Sequence, residues 1–592
     1  MTDPAVEQWL SLDFDKNTRK EAANFTEDDI KVHLDPKNRI EFGTAGLRGV
    51  MGAGYDRMNC LTVLQASQGL CIYLQDKYGK EAMAERGVVL GYDGRYNSRR
   101  FAHVAAAVFL TRGTKVYLID KSTSVTPLNA YLVKHLHALC GAQMTASHNP
   151  KQYNGYKVYG DNGAQIIPPV DSEVESRIQA NLKPWDEALD LLDHECLLRD
   201  ASKTIDPYDE AVYAYVEQIS KELCRFPALN KECELRFVYT PMHGVGLPQA
   251  SCLLRKFQFP EKCFSVVEAQ AQPDPEFRTV AFPNPEEKGA LDMAMAQAKL
   301  EHTDYVLAND PDADRFTSCE KQKDGSWHRF AGDELGVLFS DWQILMAKRR
   351  GLDTKDCLVM NSTVSSKMLK SLAEHYGAHY VDTLTGFKWL ANKAMKMVDE
   401  DPKLVYCNAY EESLGSGLTM TVPDKDGISA CGVWCEMANY YRREKGMTLF
   451  ERLGEIRKEV GYFAQYNNFF IYNDPEVLKQ MFDEFRNNGK YQTQLGSLEV
   501  ANVRDVTLGY DSRTADKKST LPVTPDEQML TLYFANGGVV TIRASGTEPK
   551  VKYYCEISDK AGMAEAQKKL DVLVKTVVDD FLQPAKFGLT SR

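Results

Sequence analysis

Short apolar runs alternate with longer stretches of helical spacing along much of this chain. In "GVVLGYDGR" the run Val88 to Leu90 ends in Gly and Asp, and "RRFAHVAAAVFLTRG" follows with helical spacing until Gly113 stops it. "KVYLID" then reads as a second buried strand. Strand, helix and strand in that order predict a parallel, right-handed crossover unit. The same succession returns in "LRFVYTPMHGVG", "DYVLAND" and "CLVMNSTVSSKML", with no repeat at the level of letters. The pattern predicts an α/β protein built several times over. His135 and His137 fall in the apolar helical run "YLVKHLHAL", where packing or a solvated face is the expected use, not metal binding.

A chain of 592 residues with 43% apolar content exceeds what one core can hold. At roughly 150 residues per domain it predicts three to five domains. Polar stretches at 201–210, 320–327 and 440–448 are the best linker candidates, so the expected segments are 1–204, 205–323, 324–445 and 446–592. The formal net charge of -12 argues against a general affinity for nucleic acid or anionic membranes. An anionic ligand would need a local basic pocket. The 14 cysteines include no C-x-x-C pair, and "MTDPAVEQWLSLDFD" is no secretory signal, which predicts reduced thiols and a cytoplasmic protein. The longest apolar run, "VAAAVFL", is well short of the ~20 residues a membrane span needs. Nothing demands more than a monomer.

Each segment carries one unusual loop. In the first, "GTAGLRG" places three glycines around Arg48, which suits backbone approaching an anion beside a guanidinium. "TASHNP" presents Ser147 and His148 among ordinary turn residues, and no G-x-S-x-G elbow supports a hydrolase. In the second, "ANDPDADRF" sets Asp310, Asp312 and Asp314 at alternate positions after the apolar run Tyr305 to Ala308, at the carboxyl end of a predicted parallel strand. Three converging carboxylates call for a cation, and hard oxygen ligands select Mg²⁺ or Ca²⁺. An EF-hand is excluded, because its sixth position would be Arg315 and its twelfth Lys321. In the third, "TLTGFKWL", "YEESLG" and "DKDGI" gather polar groups, with Glu411 and Ser413 able to point to one side of an extended loop. In the fourth, "VVTIRASGTEPKVKYYCE" runs a strand into Arg543, Ser545, Gly546 and Thr547, which by chemistry is a phosphate cradle or else a hairpin turn.

With "TASHNP", "DPDADR", "EES" and "SGTEP" in this order, the chain resembles the α-D-phosphohexomutases over nearly its whole length. Through "GTAGLRGVMGAGYDRMN", "TASHNPKQYNGYKVY", "TLTGFKWL" and "RASGTEPKVKYY" it is most similar to their phosphoglucomutase-2 and phosphopentomutase branch. The resemblance implies three α/β domains with mixed sheets plus a C-terminal α+β domain around a central cleft. It implies that Ser147 carries a phosphoryl group, and that one phosphoserine oxygen joins Asp310, Asp312 and Asp314 on Mg²⁺. Lys157, ten residues beyond Ser147, is then the candidate general base, its ammonium pKa lowered by neighbouring positive charge, with His148 in reserve. Arg48 would help neutralise the transferring group. Arg315, Thr385, Gly386, Lys388, Glu411, Ser413 and Lys425 would contact the sugar phosphate. Arg543, Ser545, Gly546 and Thr547 would hold the phosphate that is not reacting.

The implied activity interconverts glucose 1-phosphate and glucose 6-phosphate, with ribose and deoxyribose 1- and 5-phosphates as further substrates. Glucose 1,6-bisphosphate would be the activator that recharges the serine. No nucleotide is needed, and no G-x-x-x-x-G-K-[ST] loop is present to bind one. The alternative within the resemblance is a glucose 1,6-bisphosphate synthase primed by an acyl phosphate. A catalytically silent scaffold is disfavoured by the intact serine, aspartates and lysine.

Overall fold

A six-stranded sheet of order β1-β5-β4-β2-β3-β6 opens the chain. Its strands are β1 (Leu47–Val50), β2 (Val88–Tyr92), β3 (Val116–Leu118), β4 (Cys140–Met144), β5 (Tyr153–Tyr159) and β6 (Thr204–Ile205). β2 is buried at every position, as its continuous apolar run requires of a parallel strand covered on both faces. The helix Ser98–Thr111 buries Phe101, Val104 and Val108, and Gly113 ends the segment at φ 74°. β2 and β3 pair in parallel, so the predicted crossover is present. β5 runs antiparallel to both β4 and β1, which sets Arg48 opposite Gly155 and Lys157 opposite Gln143. The helix that contains His135 closes at that residue, and His137 lies beyond it at φ 52°. The apolar run continues past the helix because Ala138 and Leu139 are buried in the approach to β4.

This computed structural model describes residues 3–43, 46–194, 198, 202–525, 527–544 and 549–591. Two units are distinguished, one comprising Met1–Leu335, Phe387–Pro402 and Asn408–Thr448, the other Gly336–Gly386, Lys403–Cys407 and Leu449–Arg592. In the first, a five-stranded sheet of order β11-β10-β9-β7-β8 follows, made of β7 (Phe237–Thr240), β8 (Phe264–Val266), β9 (Tyr305–Asn309), β10 (Phe316–Lys321) and β11 (Trp327–Arg329). β7, β8 and β9 are parallel, and β10 returns antiparallel beside β9. The three aspartates occupy the turn between β9 and β10. Residues 320–327 close the β10–β11 hairpin.

In the second unit β12 (Cys357–Ser362) and β13 (His379–Thr383) pair in parallel. β14 (Val405–Glu411) ends within the first unit, where it turns back into β15 (Gly415–Gly417). The second unit closes with a seven-stranded sheet: β16 (Tyr462–Ile471), β17 (Gln494–Leu495), β18 (Leu498–Asp505), β19 (Tyr510–Asp511), β20 (Met529–Phe534), β21 (Val539–Ala544) and β22 (Lys550–Asp559). Its pairings are antiparallel, with helices Pro475–Arg486 and Met563–Thr576 supplying Phe482, Phe485, Leu570 and Leu573 to the core.

Every cysteine among the described residues is free. Cys60, Cys71 and Cys140 belong to the core of the first sheet, Cys319 to that of the second and Cys555 to that of the last. No helix among the described residues is long and apolar enough to cross a membrane.

Candidate active site

β4 delivers the chain into the "TASHNP" loop, and Ser147 turns there at φ 50°. The left-handed region is sparsely populated by residues with a side chain and costs about 1–3 kcal/mol unless the surroundings enforce it. Here they do: the Ser147 N–H donates to Thr145 Oγ1 at 2.9 Å, and the Thr145 hydroxyl donates to buried Asp93 at 2.6 Å. The turn aims Ser147 Oγ at Asp310, to which it donates at 2.9 Å, with His148 Nδ1 at 3.3 Å. Ser147 is buried.

Asp310, Asp312 and Asp314 are fully enclosed, and one carboxylate oxygen from each lies within 4.8 Å of the others. Ala313, between Asp312 and Asp314, takes φ 56°. Asp312 Oδ2 accepts from Lys157 Nζ at 2.8 Å and from the Thr126 hydroxyl at 2.6 Å. Asp314 Oδ2 accepts from Lys157 at 2.8 Å and lies 3.3 Å from Lys425 Nζ. The second oxygens, Asp312 Oδ1 and Asp314 Oδ1, are buried without a hydrogen-bond partner among the described residues. Buried acceptors left unpaired are costly, and a divalent cation is the partner that three clustered carboxylates fit.

Burial, reinforced by the charges of Asp312 and Asp314, pushes the Asp310 carboxyl well above the ordinary carboxylate range. Burial opposes ionisation of Asp312 and Asp314 as well, and the Asp314 charge opposes that of Asp312, but the surrounding partners together hold both low: Lys157 and Thr126 at Asp312, and Lys157, Lys425 and Arg315 at Asp314. The expectation of a lowered Lys157 ammonium is corrected by this arrangement. Burial does press it down, yet Asp312 and Asp314 hold it above its ordinary value, because its nearest charges are carboxylates instead of cations. His148 moves the other way: burial, with Arg315 and Arg48 nearby, holds it well below the ordinary imidazole range, so its ring is neutral.

Arg48, on β1, has an exposed side chain yet stands close enough to Asp312, Asp314, Arg315 and Arg95 to feel their charges. The glycine before Leu47 is explained by packing: a Cβ on Gly46, which sits at φ 76°, would lie 1.8 Å from the Tyr156 carbonyl oxygen. Arg315 donates its backbone N–H to Asp310 at 3.0 Å and feels Asp310, Asp314 and Glu411. Lys425 feels Asp314, Asp424 and Glu411, and its stem crosses Gly415 so closely that a Cβ there would meet Lys425 Cδ at 2.1 Å. Glu411 and Ser413 are not in an extended loop. Glu411 ends β14 opposite Gly415, and Leu414 at φ 68° closes a tight turn around Ser413. Lys388 lies in the first turn of the helix Phe387–Glu400.

In the second unit Arg543, near the end of β21, donates to the Thr385 hydroxyl, and Gly386 follows at φ 107°. Arg543 Nε is buried without a partner among the described residues, a donor suited to an anion. β21 and β22 pair antiparallel, with Arg543 opposite Lys552. Ser545, Gly546 and Thr547 lie outside the described residues.

Four residues beneath the loops escaped the sequence reading. Arg95 and Asp93 stand in "GYDGR" directly after β2, the place where ligands of such sheets gather, and Thr145 lies two residues before the serine. Thr126 is 186 residues from Asp312, and no local signal connects them.

Four family models match in order: phosphoglucomutase/phosphomannomutase alpha/beta/alpha domain I at residues 39–184, domain II at 213–325, domain III at 331–459 and the C-terminal domain at 499–571. A human protein named phosphopentomutase is 40% identical over 609 residues, covering 99% of this chain and 97% of its own. A human protein named glucose 1,6-bisphosphate synthase is 38% identical, with 100% and 96% covered. The open form of parafusin, a phosphoglucomutase from Paramecium, superposes with a TM-score of 0.67 at 18% identity over 92% of this chain and 95% of that one, a likeness of fold alone.

Proposed function

The chain belongs to the phosphoglucomutase/phosphomannomutase family, and from that premise we propose that Ser147 carries the phosphoryl group of a phosphosugar mutase. The enzyme interconverts the 1- and 6-phosphates of glucose and the 1- and 5-phosphates of ribose and deoxyribose. The names of its relatives span pentose and glucose phosphates, which supports both substrate classes. The observation that carries the reading is the Ser147 Oγ hydrogen bond to Asp310, made from a left-handed turn at the edge of the aspartate cluster.

In the cycle, a sugar hydroxyl attacks the phosphorus of phosphoserine, the P–O bond to Ser147 breaks, and a P–O bond to the sugar forms. The hydroxyl proton passes to the neutral ring of His148, whereas Lys157, held as an ammonium by Asp312 and Asp314, would take that part only once a cation neutralises those carboxylates. The resulting bisphosphate turns over and presents its other phosphate, and Ser147 Oγ takes that phosphoryl group back. The exchange of one phosphate ester for another is near thermoneutral. Asp310, Asp312, Asp314 and a phosphoserine oxygen would hold Mg²⁺, whose charge offsets that of the transferring group. Arg48 adds a second positive charge, Glu411 and Ser413 read ring hydroxyls, and Arg315, Thr385, Gly386, Lys388 and Lys425 bind the sugar phosphate.

Arg543 is assigned to the phosphate that is not reacting, together with Ser545, Gly546 and Thr547. Binding far from the reacting hydroxyl is partly used for orientation, so Arg543→Ala should raise KM and also lower kcat, a loss of about 2 to 4 kcal/mol in kcat/KM. Steady-state kinetics with glucose 1-phosphate measures this, and a change below about threefold places Arg543 outside the site.

The activity itself is tested by competition. Glucose 1-phosphate is supplied with trace glucose 1,6-bisphosphate and with 1,3-bisphosphoglycerate in the same reaction. A mutase should isomerise the sugar phosphate faster than bisphosphate accumulates, and its rate should depend on the trace activator. Net bisphosphate accumulation in excess of isomerisation would identify a synthase instead.

A further inference from the structure

The loop that presents Ser147 is gripped by one side chain from a neighbouring turn. Arg95 is 5% exposed. Its Nη2 donates to the carbonyl oxygens of Ser147 and Asn149, the latter at 2.6 Å, and its Nη1 to those of Pro150 at 3.0 Å and Tyr153 at 3.4 Å. A guanidinium is a planar fork with fixed donor directions, so these bonds fix the carbonyls relative to one another. Behind it, Asp93 Oδ2 lies 3.3 Å from Arg95 Nε. The Asp93 carboxylate also accepts from the Ser98 hydroxyl at 2.7 Å and from the Arg95 N–H at 3.0 Å. It accepts from the Thr145 hydroxyl too, which orders the polar chain. With its hydroxyl hydrogen donated in a hydrogen bond to Asp93, Thr145 Oγ1 accepts the N–H of Ser147.

We propose that Arg95, with Asp93 and Thr145, is the positioning device of the nucleophile: it holds Ser147 in the left-handed conformation that aims Oγ at the aspartates, with or without a phosphoryl group on it. The inference rests on the reading of Ser147 as the phosphorylated residue. The grip engages main-chain carbonyls and one main-chain N–H, groups that phosphorylation leaves unchanged. A charge near -2 can therefore arrive and depart at Oγ without the loop losing its anchors.

The test uses the full-length protein as wild type, Thr145→Val, Thr145→Ser and Arg95→Lys. Transfer of phosphate from glucose 1,6-bisphosphate to Ser147 is followed by intact-protein mass spectrometry, alongside kcat, KM and Tm. Valine removes both hydrogen bonds of the hydroxyl, and lysine cannot span the carbonyls. Each should slow transfer and kcat about 10- to 100-fold while KM for glucose 1-phosphate stays within about threefold, and Thr145→Ser should recover most of the rate. Should Arg95→Lys fail to fold, the Thr145 pair decides alone. A Val variant that transfers at the wild-type rate, a Ser variant as slow as the Val variant, or a rise in KM with unchanged kcat would overturn the positioning role. Wild-type protein that takes up no phosphate on Ser147 would overturn the nucleophile assignment and this inference with it.

Discussion

Replacement of Ser147 by alanine is expected to remove turnover by about four orders of magnitude or more, since no other group can take over an attacking atom that must also leave. The fold should survive. Asp310 keeps the Arg315 N–H on its other oxygen, and the lost hydroxyl bond costs about 1 kcal/mol. The left-handed turn is held through the backbone of residue 147, which alanine retains. Mass spectrometry of purified wild-type protein should find phosphate on Ser147, and the alanine variant should carry none there. An alanine variant that turns over at a comparable rate, or a wild-type serine that never carries phosphate, would show that the phosphoryl group travels by another route.

Asp312→Asn is expected to have the second largest effect. Asp312 contributes one charge to a fully buried cluster, its Oδ1 has no hydrogen-bond partner among the described residues, and Thr126 and Lys157 fix its Oδ2. The amide keeps the shape and removes the charge. It also offers Lys157 and Thr126 a group that is half donor, so one of those bonds must rearrange. Disturbing the groups around a metal ligand costs about 10- to 100-fold in affinity, and loss of the ligand's own charge should reach at least the upper end of that range. Titration calorimetry with Mg²⁺ measures the affinity directly, and kcat at saturating sugar phosphate should shift to higher magnesium in parallel. The same magnesium dependence in variant and wild type would remove Asp312 from the ligand set.

The contrast between these residues and Arg95 shows which parts of the site a sequence can display. The aspartates follow a run of buried apolar residues, and a parallel strand ends where its apolar run ends, so period and position together locate them. Ser147 was visible as a residue type in a turn, but its φ was not, because serine seldom occupies the left-handed region and the contacts that enforce it come from Asp93, Thr145 and Arg95. The raised Lys157 ammonium is not legible in the letters for a related reason. Its spacing from Ser147 says which strand it is on, whereas the sign of its shift depends on whether carboxylates or cations stand nearest across the β5 face. The turn from Glu411 to Gly415 rests on the left-handed Leu414 and on a glycine that makes room for the Lys425 stem, neither of which the letters of that loop display.

The buried thiols permit a different kind of experiment. Burial pushes Cys71 and Cys140 up to about 12 in the first core, Cys319 to about 12 in the second and Cys555 to about 12 in the last. At neutral pH such thiols are neither ionised nor accessible, and an alkylating reagent reaches them only when the surrounding core opens. Because each of these cores carries its own cysteine, pulsed alkylation followed by peptide mapping reads out opening region by region, with no engineered probe. Adding a sugar bisphosphate during the pulse then shows which regions the ligand tightens and which it leaves free to breathe.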